Sequence, residues 1–186
     1  MTKTLRWYLE NYDTPLSDKP LYVYGIFDGV AYEKLWVNLE CEWNFTHTSL
    51  FEDETLAVSM NNVAPYLVHI SLSNLYVDKL LNYYGYDGCI FFCTHLTYSE
   101  ALQKMRELFV IHSPEAGKGY LRFYRPSIFT EVIKHNPFIQ QHHFFHDIEC
   151  YYCEDEDDPN RLYRYTLSEK QLHKEMFDLS IKGKNS

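Results

Sequence analysis

Short, strongly apolar runs alternate along this chain with stretches in which apolar residues recur every three or four positions. The first pattern predicts strands and the second amphipathic helices. Leu21-Tyr22-Val23-Tyr24-Gly25-Ile26-Phe27 predicts a mostly buried strand ended by the Asp28-Gly29 turn signal. Residues 31–40 predict a helix with Ala31, Leu35 and Leu39 at spacings of four, residues 45–51 a second strand, and 52–63 a loop. Residues 65–70 form the next strand, with Pro65 at the first position, where a missing ladder donor is tolerated. Ser73 is placed to cap a helix carrying Val77, Leu80, Leu81 and Tyr84, with Gly85 at its stop. Cys89-Ile90-Phe91-Phe92-Cys93 has no polar face and predicts a central strand. Thr97 and Glu100 then spell a capping box before a helix with Tyr98, Ala101, Leu102, Met105, Leu108 and Phe109 on one face.

Leu121-Arg122-Phe123-Tyr124 predicts a further strand, followed by a helix opening at Pro126-Ser127, turning Ile128, Phe129, Val132 and Ile133 inward and closing at Asn136-Pro137. Residues 148–153 read as a strand that residues 162–166 pair with across an acidic turn. Ser168 and Gln171 then mark the start of a final helix bearing Leu172, Met176 and Leu179, before a frayed tail at 182–186. The expected fold is α/β of the mixed α+β kind, a mixed sheet flanked by amphipathic helices. Residues 1–186 read as a single domain. The one candidate boundary lies at 112–120, around Pro114, Gly117 and Gly119, and would divide an N-lobe 1–112 from a C-lobe 120–186.

A chain of 186 residues buries roughly 70% of its unfolded surface and needs no disulfide or metal for stability. Aromatic residues make up 17% of it, with 17 Tyr and 12 Phe. That excess suits either a strand-rich core or a protein-binding surface. The formal net charge of −9, with no basic patch, argues against nucleic acid as a partner. The densest charge run, Glu154-Asp155-Glu156-Asp157-Asp158, reads as a solvated turn, or else as a docking patch for a basic segment. No apolar run is long enough to span a bilayer, so no membrane is expected. The opening residues lack an export signal, and the cysteines (Cys41, Cys89, Cys93, Cys150, Cys153) are odd in number. Both point to a cytoplasmic protein with reduced thiols.

One cluster resembles a metal site: His142, His146, Cys150 and Cys153, at spacings of four, four and three. The cysteines fall in a predicted strand, however, where positions three apart point to opposite faces. No metal and no cofactor is therefore expected. As a redox pair, Cys150 and Cys153 lack the helix N-terminus that lowers a thiol's pKa. No nucleophile elbow, zinc-protease helix or phosphate-cradling loop is present, and no catalytic residue is assigned.

Three segments carry a family resemblance. They are Leu21 to Gly29, where an apolar strand runs into Asp-Gly; Ala64-Pro65-Tyr66-Leu67-Val68; and Leu121-Arg122-Phe123-Tyr124-Arg125-Pro126. In order and spacing, from Leu21 to about Thr166, the chain resembles the type VI secretion effector adaptor (Tap/TEC) family, first catalogued as a domain of unknown function. Arg125 stands where that family usually has Asp, which would cap the next helix; Ser127 is the replacement cap in reach. The resemblance implies a non-catalytic adaptor chaperone that binds the N-terminal part of an effector and the end of the spike protein VgrG, and stays in the donor cell. The partner-binding candidates are Arg122, Tyr124 and Arg125 as a polar-aromatic surface, and the final helix with Leu172, Met176 and Leu179, an unspecified edge strand being the alternative grip. A toxin-neutralising immunity protein, equally small and acidic, is the competing reading.

Overall fold

The computed structural model describes residues 19–178 apart from 84–86, 114, 116, 136–137, 156 and 159. Its frame is a seven-stranded sheet in the order β2-β3-β1-β4-β7-β8-β9. The strands are β1 (Tyr22–Asp28), β2 (His47–Ser49), β3 (Pro65–His69), β4 (Cys89–Thr94), β7 (Ile148–Glu154), β8 (Arg161–Ser168) and β9 (Gln171–Asp178). A separate hairpin is formed by β5 (Val110–Ser113) and β6 (Gly117–Tyr120). The expected mixed α+β class is what the chain adopts, although every pairing in the sheet is antiparallel rather than mixed. Strands from both sides of residues 112–120 join this one sheet, β4 pairing directly with β7.

Both faces of the sheet are covered, which is why its central strands read as unbroken apolar runs. All six residues of β4 are buried. One face packs under α1 (Leu35–Val37), the π turn Asn38–Glu42 that continues it, and α3 (Val77–Tyr83), through Leu35, Leu39, Leu80 and Leu81. The other packs under α4 (Tyr98–Phe109), α5 (Pro126–His135) and α6 (Phe138–Phe145), through Met105, Phe109, Phe129, Ile133 and Phe144. Phe91 and Phe92 are neighbours in sequence and serve opposite layers. The capping box of α4 forms as expected, the Thr97 N–H donating to Glu100 Oε2 at 2.8 Å.

Several expectations need correction. Residues 31–40 contain only the short α1 and the start of the π turn. Residues 54–59, expected as loop, form α2 (Glu54–Ser59), whose cap is Asp53 accepting from the Leu56 N–H at 2.8 Å. Leu121-Arg122-Phe123-Tyr124 is a turn rather than a strand, which lets the neighbours Phe123 and Tyr124 both point inward. The final helix is β9 instead. Ser168 and Gln171 flank a two-residue turn, Glu169-Lys170, with both residues at positive φ (49° and 64°), as a primed hairpin turn requires. Tyr84, Gly85, Asn136, Pro137 and Leu179, named above as helix positions, lie outside the described residues.

Candidate functional site

Two places hold the partner-binding candidates. The first is the connector between β6 and α5. Its Arg122 guanidinium pairs with Asp28 Oδ2 at the end of β1, where the carboxylate is 2% exposed. Asp28 Oδ1 also accepts from the Val30 N–H at 3.1 Å. The turn after β1 must hug the chain beside it: the Gly29 N–H donates to the Ala64 carbonyl at 3.0 Å, and a Cβ on Gly29 would stand 2.5 Å from that oxygen. Arg125 pairs with Asp87, from the turn before β4. Asp87 Oδ1 accepts from the Ser127 N–H at 2.9 Å and from Ser127 Oγ at 2.5 Å.

The cap of α5 is therefore a carboxylate supplied from a distant loop. Ser127, expected to be the cap, is instead a donor to it. Arg125, which cannot accept a cap bond, holds the carboxylate that does. Burial alone would raise the pKa of Asp87; the Ser127 and Arg125 hydrogen bonds outweigh it and hold the carboxyl below its usual range. Tyr124 is buried at 2% exposure. Burial and the Asp28 charge push its hydroxyl up to about 12. The expected open surface of Arg122, Tyr124 and Arg125 is thus corrected: two guanidiniums are paired to carboxylates and the ring between them faces the core.

The second place is β9, the last strand of the sheet. Its residues from Gln171 to Met176 are exposed except for half-buried Leu172. Leu172 lies opposite Leu167 and Met176 opposite Tyr163. Leu172 packs on the layer under α4–α6, while Met176 is 51% exposed. Between them Lys174 lies over the Tyr163 ring, its Nζ 3.5 Å from the centroid. On the opposite face Arg164 pairs with Glu175 and stands 5.6 Å from the Phe177 ring centroid. Because a two-residue turn makes Ser168 and Gln171 a hydrogen-bonded pair, Gln171, His173 and Glu175 bond inward to β8, and Leu172, Lys174 and Met176 direct their backbone N–H and C=O groups outward. Among the described residues no strand pairs with that outer edge. Such an edge accepts one kind of guest readily, another extended backbone.

The His/Cys cluster does not converge. Cys150 is buried in the layer under α1 and α3 and Cys153 in the layer under α4–α6, so β7 separates them. His142 and His146 share a face of α6 and its end, with ring centroids 5.7 Å apart; both are exposed, and His146 pairs with Asp147 at 2.6 Å. Among the described residues no group of three or more His, Cys, Asp or Glu side chains is placed to hold a metal. Among the described residues no helix is long and apolar enough to cross a membrane.

Asp28 and Asp87 were not singled out in the sequence. Asp28 carried a signal, standing in a segment similar to the adaptor family, whereas Asp87 showed none because its partners lie about forty positions away. Compared with known proteins, residues 23–142 match a family model described as a domain of unknown function (DUF4123). The match spans β1 to α6 and leaves β7, β8 and β9 outside it. No curated protein and no solved structure matches the chain.

Proposed function

We propose, from the premise that the chain belongs to the DUF4123 family of type VI secretion effector adaptors, that it binds the N-terminal part of a cognate effector, presents it to the end of the VgrG spike, and makes or breaks no bond itself. The observation that carries this reading is the family match over residues 23–142. The donor-cell cytoplasm is its place of action. The grip belongs to the outer edge of β9, where the backbone groups of Leu172, Lys174 and Met176 take up an extended segment of the client, and Leu172 and Met176 offer apolar contact beside it. Arg122, Tyr124 and Arg125 act indirectly, by seating α5.

The test is a pull-down from cells co-expressing the chain with the effector and VgrG encoded beside it. The effector's N-terminal part alone is expected to be retained, and its catalytic domain alone to be lost. Retention of the catalytic domain alone, with loss of toxic activity, would make the chain an immunity protein instead.

A further inference from the structure

The sheet's centre holds a second chemical feature, independent of the adaptor reading. Cys93 on β4 and Cys150 on β7 are directly opposite one another in the ladder. Each is about 1% exposed, and both point into the layer under α1 and α3. Facing residues of an antiparallel pair have Cα atoms about 4.5–5.5 Å apart, inside the roughly 4.4–6.8 Å that a disulfide spans. Their side chains leave the sheet on the same face, so the two thiols stand beside one another in that layer. Next to the pair the ladder slips by one residue, Thr94 facing Ile148, a bulge that bends and twists the strands locally.

We propose that Cys93 and Cys150 form a thiol–disulfide modification site, reduced in the described structure and closed into a cross-strand disulfide by low-molecular-weight disulfides such as glutathione disulfide. The Cys150 thiolate attacks one sulfur of the oxidant, breaking its S–S bond; the first glutathione leaves as a thiolate and takes up the proton Cys150 gave. The Cys93 thiolate then attacks the Cys150 sulfur of the mixed disulfide, and the second glutathione leaves with the Cys93 proton. Two protein thiols are oxidised and one oxidant disulfide is reduced to two thiols. Cys150 is the better first nucleophile. The Cys93 thiol beside it, aided by the Arg164 charge, holds its pKa below the usual thiol value despite burial, while Cys93 is pushed up. The bond would tie β7, and with it the β8–β9 hairpin, to the strands of the family-matched part.

The full chain is equilibrated with excess glutathione disulfide, quenched with an alkylating agent in denaturant, and mapped by peptide mass. Exposed Cys41 reports whether the oxidant has acted. A Cys93–Cys150 cross-linked peptide is expected to become the majority form, reversed by dithiothreitol and absent from Cys93→Ser and Cys150→Ser. Should either variant fail to fold, the wild-type map alone decides. Cys93 and Cys150 both recovered alkylated while Cys41 carries glutathione, or a link that joins Cys89 or Cys153 instead, overturns the proposal.

Discussion

The two edges of the seven-stranded sheet solve the same problem in opposite ways. β2 is three residues long, and its flank is occupied: the Arg106 guanidinium, reaching from α4, donates to the Ser49 carbonyl at 3.0 Å and the Phe51 carbonyl at 3.3 Å. β9 is eight residues long, and no comparable side chain from a helix reaches the outward groups of Leu172, Lys174 and Met176 among the described contacts. Proteins normally blunt long edges because exposed strands recruit other chains. Here one edge is short and satisfied, and the other is long and, among the described residues, unpaired. The difference teaches that β9 is suited to pairing, while β2 is sealed within the fold.

The deepest way to break the comparison is to remove what both edges rest on. Phe92→Ala in β4, where Phe92 is fully buried beside Tyr24 and Tyr151, should destabilise the fold by about 3–5 kcal/mol. Urea unfolding checks this, with a loss below about 1 kcal/mol as the contrary result. Arg106→Ala should cost about 1–3 kcal/mol, because two carbonyls at the β2 flank lose their donor. Client affinity should stay unchanged, as titration calorimetry would show.

A pH-dependent effect separates the β7–β8 end from β2. Burial pushes the Glu154 carboxyl up to about 7. A carboxylate whose folded pKa lies above its unfolded value favours the protonated native state. Stability from this group is therefore lost as pH rises from about 4.5 to about 7. Glu154→Gln should leave stability at pH 5 nearly unchanged and raise it at pH 8, by on the order of 1–2 kcal/mol. Equal midpoints for the variant and the wild type at pH 8 would refute this.

The smallest expected stability change is the most informative for function. In Met176→Pro the lost N–H points away from β8, so the hairpin ladder keeps its bonds and the fold should lose under about 1 kcal/mol. Client binding should nevertheless fall at least about tenfold, an edge donor having been removed and the local backbone stiffened. Unchanged affinity would remove β9 from the grip.

How far the sequence revealed this molecule follows from the physics of each segment. β1, β3, β4 and α4 were legible because their burial repeats at the period of one element: unbroken apolar runs for strands packed on both faces, and a capped stripe for the helix. β9 was misread because Leu172 and Met176, four apart, share a face in a strand as well as in a helix, and Ser168-x-x-Gln171 spells a capping box as readily as it brackets a two-residue turn. At the connector, Arg122 and Arg125 were visible as unusual residues. Their pairing with Asp28 and Asp87 was not, since a pairing across the fold leaves no local pattern. The chain's own pattern told little about its role; family membership supplied the adaptor theme on which the proposal rests.

Amide hydrogen exchange on the chain alone and with the effector's N-terminal part tests the central claim most directly. The account predicts that the Leu172, Lys174 and Met176 amides exchange fast in the free chain and become protected when the client binds, while β2 changes little. β9 amides that exchange equally fast in the complex, with protection gathered elsewhere, would contradict it.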